Sequence, residues 1–274
     1  MIIDSHVHIC GPPLNQEYIK VKCRDGSVIT SPFAKRADAS VDRLLQDMNE
    51  NNIDKAFVCA VDGVVTNEYL SKVVREHSNR IVGFAWIDDP LDKMKSVETL
   101  ETAVNELGLR GLKLHPGIQN FSPADQRIYP LIRKAAELQI PIFIHMTPIP
   151  LGTFDNHKPE HMDTLKKNVP DATIIVGHMA WQRFMDLLML VWEPGIYIET
   201  SNGLNMIAGL YGVDFAERLI RRLGVDKVVF GSDWMGSSSR MTKENMDLIN
   251  KMSLTRDEKE EILGENVRKV LVAN

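Results

Sequence analysis

Two histidines close to the start of the chain, His6 and His8, are separated by one residue and follow an acidic residue, Asp4. Ile2 and Ile3 precede them and favour a buried strand, because both are apolar and β-branched. Alternate residues of a strand point the same way, so we expect both imidazoles on one face. Neutral imidazole is a common metal ligand, and such a pair can hold one cation. A pair by itself also fits two exposed histidines on an edge strand.

Further polar residues of the same kind stand at the ends of short apolar runs that are typical of strands. These residues are Lys113, His115, His145, His178, Glu199 and Asp233. Any one of the histidines, taken singly, is compatible with a structural role. Their shared position at strand ends predicts one functional site, provided that those ends meet in the fold.

The elements that must position these residues are eight strand-like runs, each followed by a segment with helical spacing of apolar residues. The predicted strands cover residues 2–8, 56–61, 81–87, 110–115, 141–145, 172–178, 195–199 and 227–233. Alternation of apolar strands and helices indicates a parallel sheet covered by helices. Eight such units in 274 residues favour an α/β fold of the (β/α)8 TIM-barrel type, one domain spanning residues 1–274. All strand ends then surround one mouth.

Three imidazoles and one carboxylate suit a divalent ion with room for a water molecule. An ion held in this way lowers the pKa of its water towards ~7 and makes it a nucleophile. Asp233 is expected close enough to accept the proton of that water. We expect His178 either too far away to ligate or hydrogen bonded to the water or to a substrate carbonyl.

Composition excludes several other classes of protein. The net charge of −5 disfavours nucleic-acid binding, and Cys10, Cys23 and Cys59 include no Cys-x-x-Cys pair. No apolar run approaches the ~20 residues of a membrane span, and the N-terminus does not resemble a signal peptide. We therefore expect a cytoplasmic protein with a small-molecule substrate and no nucleic-acid or membrane partner. Assembly into a homo-oligomer is left open.

Residues 11–37 show no clear periodicity and are predicted to form a long irregular loop. Basic residues outnumber acidic ones there, which fits either a flap that receives an anionic substrate or a merely solvated loop.

The strand ends carry sequence motifs that resemble the amidohydrolase superfamily. The motifs are Asp4-Ser5-His6-Val7-His8, Gly111-Leu112-Lys113-Leu114-His115-Pro116, Ile144-His145, Gly177-His178, Gly231-Ser232-Asp233 and Ile262-Leu263-Gly264-Glu265-Asn266. The chain is most similar to the amidohydrolase 2 branch of predicted metal-dependent hydrolases. This resemblance implies a distorted barrel in which one divalent ion, zinc, is bound by His6, His8, His145 and Asp233. It also implies that His178 polarises the substrate or handles protons, so that Asp233 and His178 are the catalytic pair.

The resemblance raises a second possibility for Lys113, since a strand-4 lysine is carboxylated and bridges two metals in dinuclear members. His178 would then ligate a second ion. The alternative is an unmodified Lys113 that pairs with Glu199 or binds a substrate carboxylate. His115 has the same strand parity as Lys113, and both are candidates for substrate binding or for a second metal.

Three functions remain open. The first is a metal-dependent hydrolase that cleaves an ester, lactone or amide of a small, carboxylated molecule. The second is a non-oxidative decarboxylase of an aromatic or unsaturated acid, similar to aminocarboxymuconate-semialdehyde decarboxylase. The compact chain favours hydrolysis, because the decarboxylases tend to be longer. The third is a barrel that binds a ligand without catalysis.

Overall fold

The computed structural model describes residues 1–147, 153–236 and 239–272. Ten strands are present among them, and eight form one parallel sheet in the order β1, β4, β5, β6, β7, β8, β9, β10. The strands are β1 (Ile3–Val7), β2 (Tyr18–Lys22), β3 (Val28–Lys35), β4 (Lys55–Cys59), β5 (Ile81–Trp86), β6 (Gly111–Leu114), β7 (Ile142–Ile144), β8 (Ile174–Val176), β9 (Ile196–Glu199) and β10 (Val228–Val229).

Helices follow the barrel strands along the chain. They are α1 (Val41–Glu50), α2 (Asn67–Glu76), α3 (Lys95–Asn105), α4 (Tyr129–Glu137), α5 (His161–Asn168), α6 (Gly203–Tyr211), α7 (Val213–Leu223), α8 (Ser239–Lys251), α9 (Arg256–Glu260) and α10 (Asn266–Val272). A π-helical turn, Glu261–Glu265, joins the last two. Among the described helices, none is long and apolar enough to span a bilayer.

Backbone hydrogen bonds close the sheet into a barrel. The Ser5 amide donates to the Phe230 carbonyl (3.0 Å), and the Asp233 amide donates to the His6 carbonyl (2.8 Å). The predicted TIM barrel and its eight barrel strands are therefore confirmed. Because all eight strands are parallel, their carboxyl ends meet at one mouth.

Apolar side chains fill the barrel below that mouth. Phe57 stacks on Phe84 with ring centroids 5.2 Å apart. The same buried cluster includes Ile3, Cys59, Phe143, Ile175 and Val229, with Val267 and Val270 of α10. A larger cluster lies between the sheet and the surrounding helices. The polar residues of the mouth thus lie directly above a layer of buried apolar side chains.

Two stretches differ from the sequence prediction. Residues 11–37 are not an irregular loop throughout, because β2 and β3 pair as an antiparallel hairpin. The guanidinium of Arg36 binds the carbonyls of Gly11 and Gly63 (2.6 and 2.7 Å), and so fastens the base of the hairpin to the barrel. In β2 the lysines Lys20 and Lys22 alternate with Ile19 and Val21, and β3 contains polar residues and a proline, so neither strand shows the continuous apolar run used to predict the barrel strands.

The segment predicted as a helix after β8 is instead a 3-10 segment, Gly177–Met189, whose first part is left-handed. The helical segment expected after β9 is divided into α6 and α7 at Gly212, which has a φ of 89°.

Candidate active site

His6, His8 and Asp233 bring three potential ligand atoms together at the mouth. The Nε2 atoms of the two histidines are 3.0 Å apart, and the Asp233 Oδ1 atom lies 3.5 Å and 3.4 Å from them. Bonds of 2.0–2.1 Å to a tetrahedral ion put ligand atoms about 3.3 Å apart. The observed spacing therefore fits one divalent ion bonded to all three atoms.

Backbone geometry fixes the three ligands. Both histidines extend from the end of β1, and His8 Nδ1 lies 3.0 Å from the carbonyl of Cys59. A hydrogen bond there keeps the proton on Nδ1 and leaves Nε2 free for a metal. Asp233 has a φ of 55°, and its Oδ2 atom accepts a hydrogen bond from Asn202 Nδ2 (2.8 Å). Oδ1 is thereby left directed at the histidines.

The protonation states suit metal binding. Burial, and then the charge of Lys113, hold the pKa of His6 well below its usual value. Burial alone would raise the pKa of Asp233, but the nearby histidines His6, His8 and His178 outweigh it and lower that pKa. Neutral imidazole and ionised carboxylate are the forms that ligate a metal. The two histidines are buried and Asp233 is partly exposed, and together they form a group able to hold a divalent ion.

A second group, His6, His178 and Glu199, also has its ligand atoms close together. Here the hydroxyl of Ser201 lies between them. Ser201 Oγ is 2.8 Å from Glu199 Oε2, 2.9 Å from His178 Nδ1 and 3.4 Å from His6 Nδ1. This group is therefore already satisfied as a hydrogen-bonded cluster below the first one.

Glu199 is fully buried in that cluster. Its carboxylate accepts hydrogen bonds from the amides of His178 (3.0 Å) and Ser201 (2.5 Å). Burial raises the pKa of Glu199 and outweighs the charge of His178 and these hydrogen bonds. Glu199 consequently ties the strand ends of β8 and β9 together.

Lys113 lies against the metal group from the β6 side. Its Nζ atom is 3.0 Å from His6 Nε2 and 4.0 Å from the ring centroid of Phe143. Burial lowers the pKa of Lys113. The amine therefore contacts His6 and the face of the Phe143 ring. The hydrogen bonds of Glu199, the predicted partner of Lys113, go instead to His178 and Ser201. Roles for Lys113 in substrate binding or in a second metal site stay predictions.

Three further histidines, His115, His145 and His178, form a connected row across the mouth. His178 Nε2 is 3.0 Å from His145 Nδ1, and His145 Nε2 is 2.7 Å from Thr147 Oγ1. The ring of His115 stacks on that of His145 with centroids 3.7 Å apart. Burial lowers the pKa of all three imidazoles. Through His178, the row is joined to the hydrogen-bonded cluster of Ser201 and Glu199, and it extends from there to the ends of β6 and β7.

His145 lies outside both ligand groups found among the described residues. Its ring nitrogens face His178 and Thr147, so its predicted role as a metal ligand stays a prediction. All the other residues that were predicted for the site also line this mouth. Sequence reasoning did not place Ser201, Asn202 or His157 at the site. His157 is buried, with its ring centroid 6.4 Å from that of His145.

Comparison with known proteins gives one curated relative with a stated activity. The 2-amino-3-carboxymuconate-6-semialdehyde decarboxylase of Dictyostelium discoideum is 21% identical over 175 residues. The match covers 52% of this chain and 48% of the relative, so the chain spans about half the length of that protein.

Solved structures share the fold over the whole chain. An uncharacterised TIM-barrel protein of Bordetella bronchiseptica has a TM-score of 0.78 and 17% identity, covering 99% of this chain and 98% of that one. A dihydroxybenzoic acid decarboxylase of Polaromonas sp., with bound manganese and 2-nitroresorcinol, has a TM-score of 0.68 and 17% identity (100% and 97% covered). A probable 2-pyrone-4,6-dicarboxylic acid hydrolase of Acinetobacter baumannii, with bound citric acid, has a TM-score of 0.70 and 15% identity (99% of each chain).

The family model of the amidohydrolases named Amidohydro_2 matches residues 3–272. That match includes every strand and every mouth residue described above. The chain belongs to the Amidohydro_2 amidohydrolase family.

Proposed function

We propose that this protein is a metal-dependent decarboxylase that removes carbon dioxide from a small aromatic or unsaturated acid without oxidation. The observation that carries the proposal is the pairing of a three-atom ion site with a row of neutral, buried histidines beside it. The decarboxylases of Dictyostelium and Polaromonas add support through sequence and fold similarity. The short length of the chain favours a hydrolase. These relatives nevertheless support a decarboxylase better than they support a hydrolase.

Decarboxylation breaks the bond between a carbon of the acid and its carboxylate carbon. The electron pair of that bond stays with the first carbon, which takes up a proton as carbon dioxide leaves. When bound, a divalent ion supplies positive charge that binds and orients substrate oxygens. The side chains of the mouth must then supply the proton and exclude water.

His178 is our candidate for the proton donor. Its Nε2 atom is hydrogen bonded to His145 Nδ1, and Ser201 fixes its Nδ1 atom. Because burial lowers the pKa of His178, its imidazole is neutral at rest and must first take up a proton from solvent or from the entering acid; the protonated form then gives that proton up readily. In this mechanism the ionised Asp233 accepts a proton from a substrate oxygen and returns it as the product forms, so that it is ionised again at the end. Lys113 and His115 contact the substrate carboxylate.

For the ion we propose zinc bound by His6, His8 and Asp233, with His145 as an additional ligand. Two imidazoles and a carboxylate suit zinc, but manganese accepts the same donors and is present in the Polaromonas decarboxylase. Elemental analysis of protein purified without chelator or added metal tests the proposal. About one zinc per chain supports it, whereas manganese in its place contradicts the choice of zinc.

Hydrolysis of a lactone is the second candidate, and the observation that favours it is the similarity to the Acinetobacter hydrolase. In that case Asp233 would take the proton of the attacking water. The two candidates share every residue of the ion site and differ in their product.

The experiment that separates them measures carbon dioxide release from dihydroxybenzoic acids and 2-amino-3-carboxymuconate-6-semialdehyde, beside ring opening of 2-pyrone-4,6-dicarboxylate. We expect carbon dioxide release that falls at least ~100-fold in His6→Ala and Asp233→Asn, because each removes one ligand of the ion. His77→Ala is the control, since His77 lies at the end of α2. Lactone opening without carbon dioxide supports the hydrolase. Full metal content with neither product supports a ligand-binding barrel.

A further inference from the structure

Trp86, the last residue of β5, carries a buried hydrogen-bond donor without a partner. Its side chain is only 6% exposed, and no described residue accepts a hydrogen bond from its indole Nε1 atom. A buried tryptophan usually has an acceptor for this N–H group, because a buried donor without one lowers stability. An acceptor from outside the chain would satisfy it.

The register of the sheet places this indole in the mouth. Trp86 pairs with Lys113 across the parallel strands β5 and β6, and paired residues of neighbouring strands point to the same face of the sheet. Lys113 faces inward, since its Nζ atom lies 3.0 Å from His6 Nε2. Phe84, two residues before Trp86, also faces inward and belongs to the cluster that fills the barrel. Both relationships put the indole beside Lys113.

The backbone at Trp86 is held from both sides. The side-chain amide of Asn67 accepts a hydrogen bond from the Trp86 amide (2.9 Å) and donates one to the Trp86 carbonyl (2.8 Å). The side-chain amide of Gln119 donates to the carbonyl of Ile87 and accepts from the amide of His115 (2.6 Å each). These bonds tie the end of β5 to α2 and to His115. A donor fixed in this way loses little conformational freedom when it binds a ligand.

The groups around the indole indicate what the missing acceptor is. Indole N–H can only donate, and so can the amine of Lys113 when it is protonated. The Ile118 amide donates to His115 Nδ1 (3.2 Å), which keeps the proton of the neutral imidazole on Nε2 and makes that atom a third donor. A carboxylate offers several acceptor sites and a negative charge, and it therefore suits all three groups.

We propose that the indole N–H of Trp86 hydrogen bonds to the carboxylate of an acid substrate and completes a binding site with Lys113 and His115. The inference rests on the proposed function only in taking the substrate to be an acid. It holds whether that acid loses carbon dioxide or is hydrolysed. Trp86 would then select molecules that carry the carboxylate over the same molecules without it, and decarboxylation would release its product by removing the shared partner of these donors.

Trp86→Phe tests the proposal, because it removes the N–H group and keeps an aromatic ring. Isothermal titration calorimetry of the metal-loaded protein compares 2,6-dihydroxybenzoate with resorcinol, which lacks the carboxylate. We expect the variant to bind the acid at least about tenfold more weakly, because a hydrogen bond to a charged group is lost, and to bind resorcinol as the wild type does. With any acid that is turned over, KM should rise while kcat changes little.

Trp192→Phe is the matched control, since Trp192 is 87% exposed and the chemical change is the same. It should bind both compounds as the wild type does, and circular dichroism establishes that both variants are folded.

Nuclear magnetic resonance of the four ¹⁵N-labelled indoles gives a direct readout. The Trp86 signal is identified by its absence from Trp86→Phe, and 2,6-dihydroxybenzoate or 2-pyrone-4,6-dicarboxylate should shift it more than the other three. A Trp86 signal that responds to neither acid overturns the proposal, as does an affinity that Trp86→Phe leaves unchanged. A signal that responds without any carbon dioxide release supports the carboxylate site and contradicts the decarboxylase. Carbon dioxide release that does not depend on Trp86 contradicts this inference alone.

Discussion

At the scale of single residues, the hydroxyl of Ser201 connects the acid and the histidines of the mouth. It donates to Glu199 and lies within hydrogen-bond distance of His178 Nδ1. These contacts orient the imidazole that we propose as proton donor. Because the whole cluster is buried, no solvent replaces a lost partner.

Ser201→Ala should therefore lower both stability and turnover. Each buried polar atom left without a partner costs about 1–3 kcal/mol, and His178 loses the contact that fixes its orientation. We expect turnover to fall about tenfold or more, measured together with urea unfolding. Ser71→Ala is the control, because it also removes a buried hydroxyl. That hydroxyl, in α2, donates to the carbonyl of Leu107 after α3 and makes no contact with the mouth residues described above. It should lose stability but keep its turnover, and equal turnover in the two variants would contradict the role of Ser201.

The histidines of the mouth can be predicted from the sequence because histidine is rare in this chain and these histidines occur at strand ends, and Asp233 can be predicted because it ends the last strand. Ser201 has the same strand parity as Glu199, but serine is common in loops, so its type carries little information. The contact between Lys113 and His6 joins residues 107 positions apart, and only the closed barrel brings them together.

At the scale of elements, the turn after β8 is the least regular part of the site. His178, Met179, Ala180 and Trp181 all have φ near +50° to +60°, which costs roughly 1–2 kcal/mol for each residue that is not glycine. The sequence prediction ended a strand at His178 and placed a helix after it, and local sequence carries no signal for a left-handed turn between them. Tertiary packing imposes it, since Met179 and Ala180 are fully buried.

Gly203 makes that packing possible. A Cβ atom on Gly203 would lie 2.1 Å from the carbonyl oxygen of His178. Gly203→Ala should therefore displace the turn, lower stability by about 1–3 kcal/mol and reduce turnover. Gly209→Ala on the same helix is the matched control, because a Cβ there meets nothing within 4 Å. It should be neutral or slightly stabilising, by up to about 1 kcal/mol. Thermal unfolding and turnover of both variants check this, and equal behaviour would refute the close approach.

At the scale of the whole molecule, alternating apolar strands and helices predict the barrel because each strand must be covered on both faces. The β2–β3 hairpin lies outside this repeat and has no such constraint, so its strands were not predicted. The barrel also collects buried ionisable groups from all parts of the chain, and these make the stability of the molecule depend on pH.

The buried histidines should make the metal-free protein unstable in acid. Burial lowers the pKa of His6, His115, His145 and His178, whereas the unfolded chain takes up protons at about pH 6.5. Their contribution is therefore complete above pH 6.5 and is lost as the pH falls, by at most about 1.4 kcal/mol per histidine per pH unit.

Buried acids, Asp4, Asp47 and Glu199, oppose this trend. Burial raises the pKa of Asp4 to about 7 and raises that of Glu199, so the folded chain keeps protons that the unfolded chain releases above about pH 4. Their contribution falls as the pH rises towards 7. The histidines outnumber these acids, so we expect stability to rise between pH 5 and 6.5 and to fall above that range as the pH approaches the pKa of Asp4.

Urea unfolding in the presence of a chelator, at intervals from pH 5 to 8, measures this curve. Asp4→Asn should steepen the rise below pH 6.5 and flatten the fall above it, because one opposing acid is removed. Asp25→Asn is the control, since Asp25 is exposed and hydrogen bonded to Ser27. If the free energy of unfolding does not change between pH 5 and 6.5, the histidines are protonated in the folded chain. The conclusion that neutral imidazoles are available to bind the metal would then be wrong.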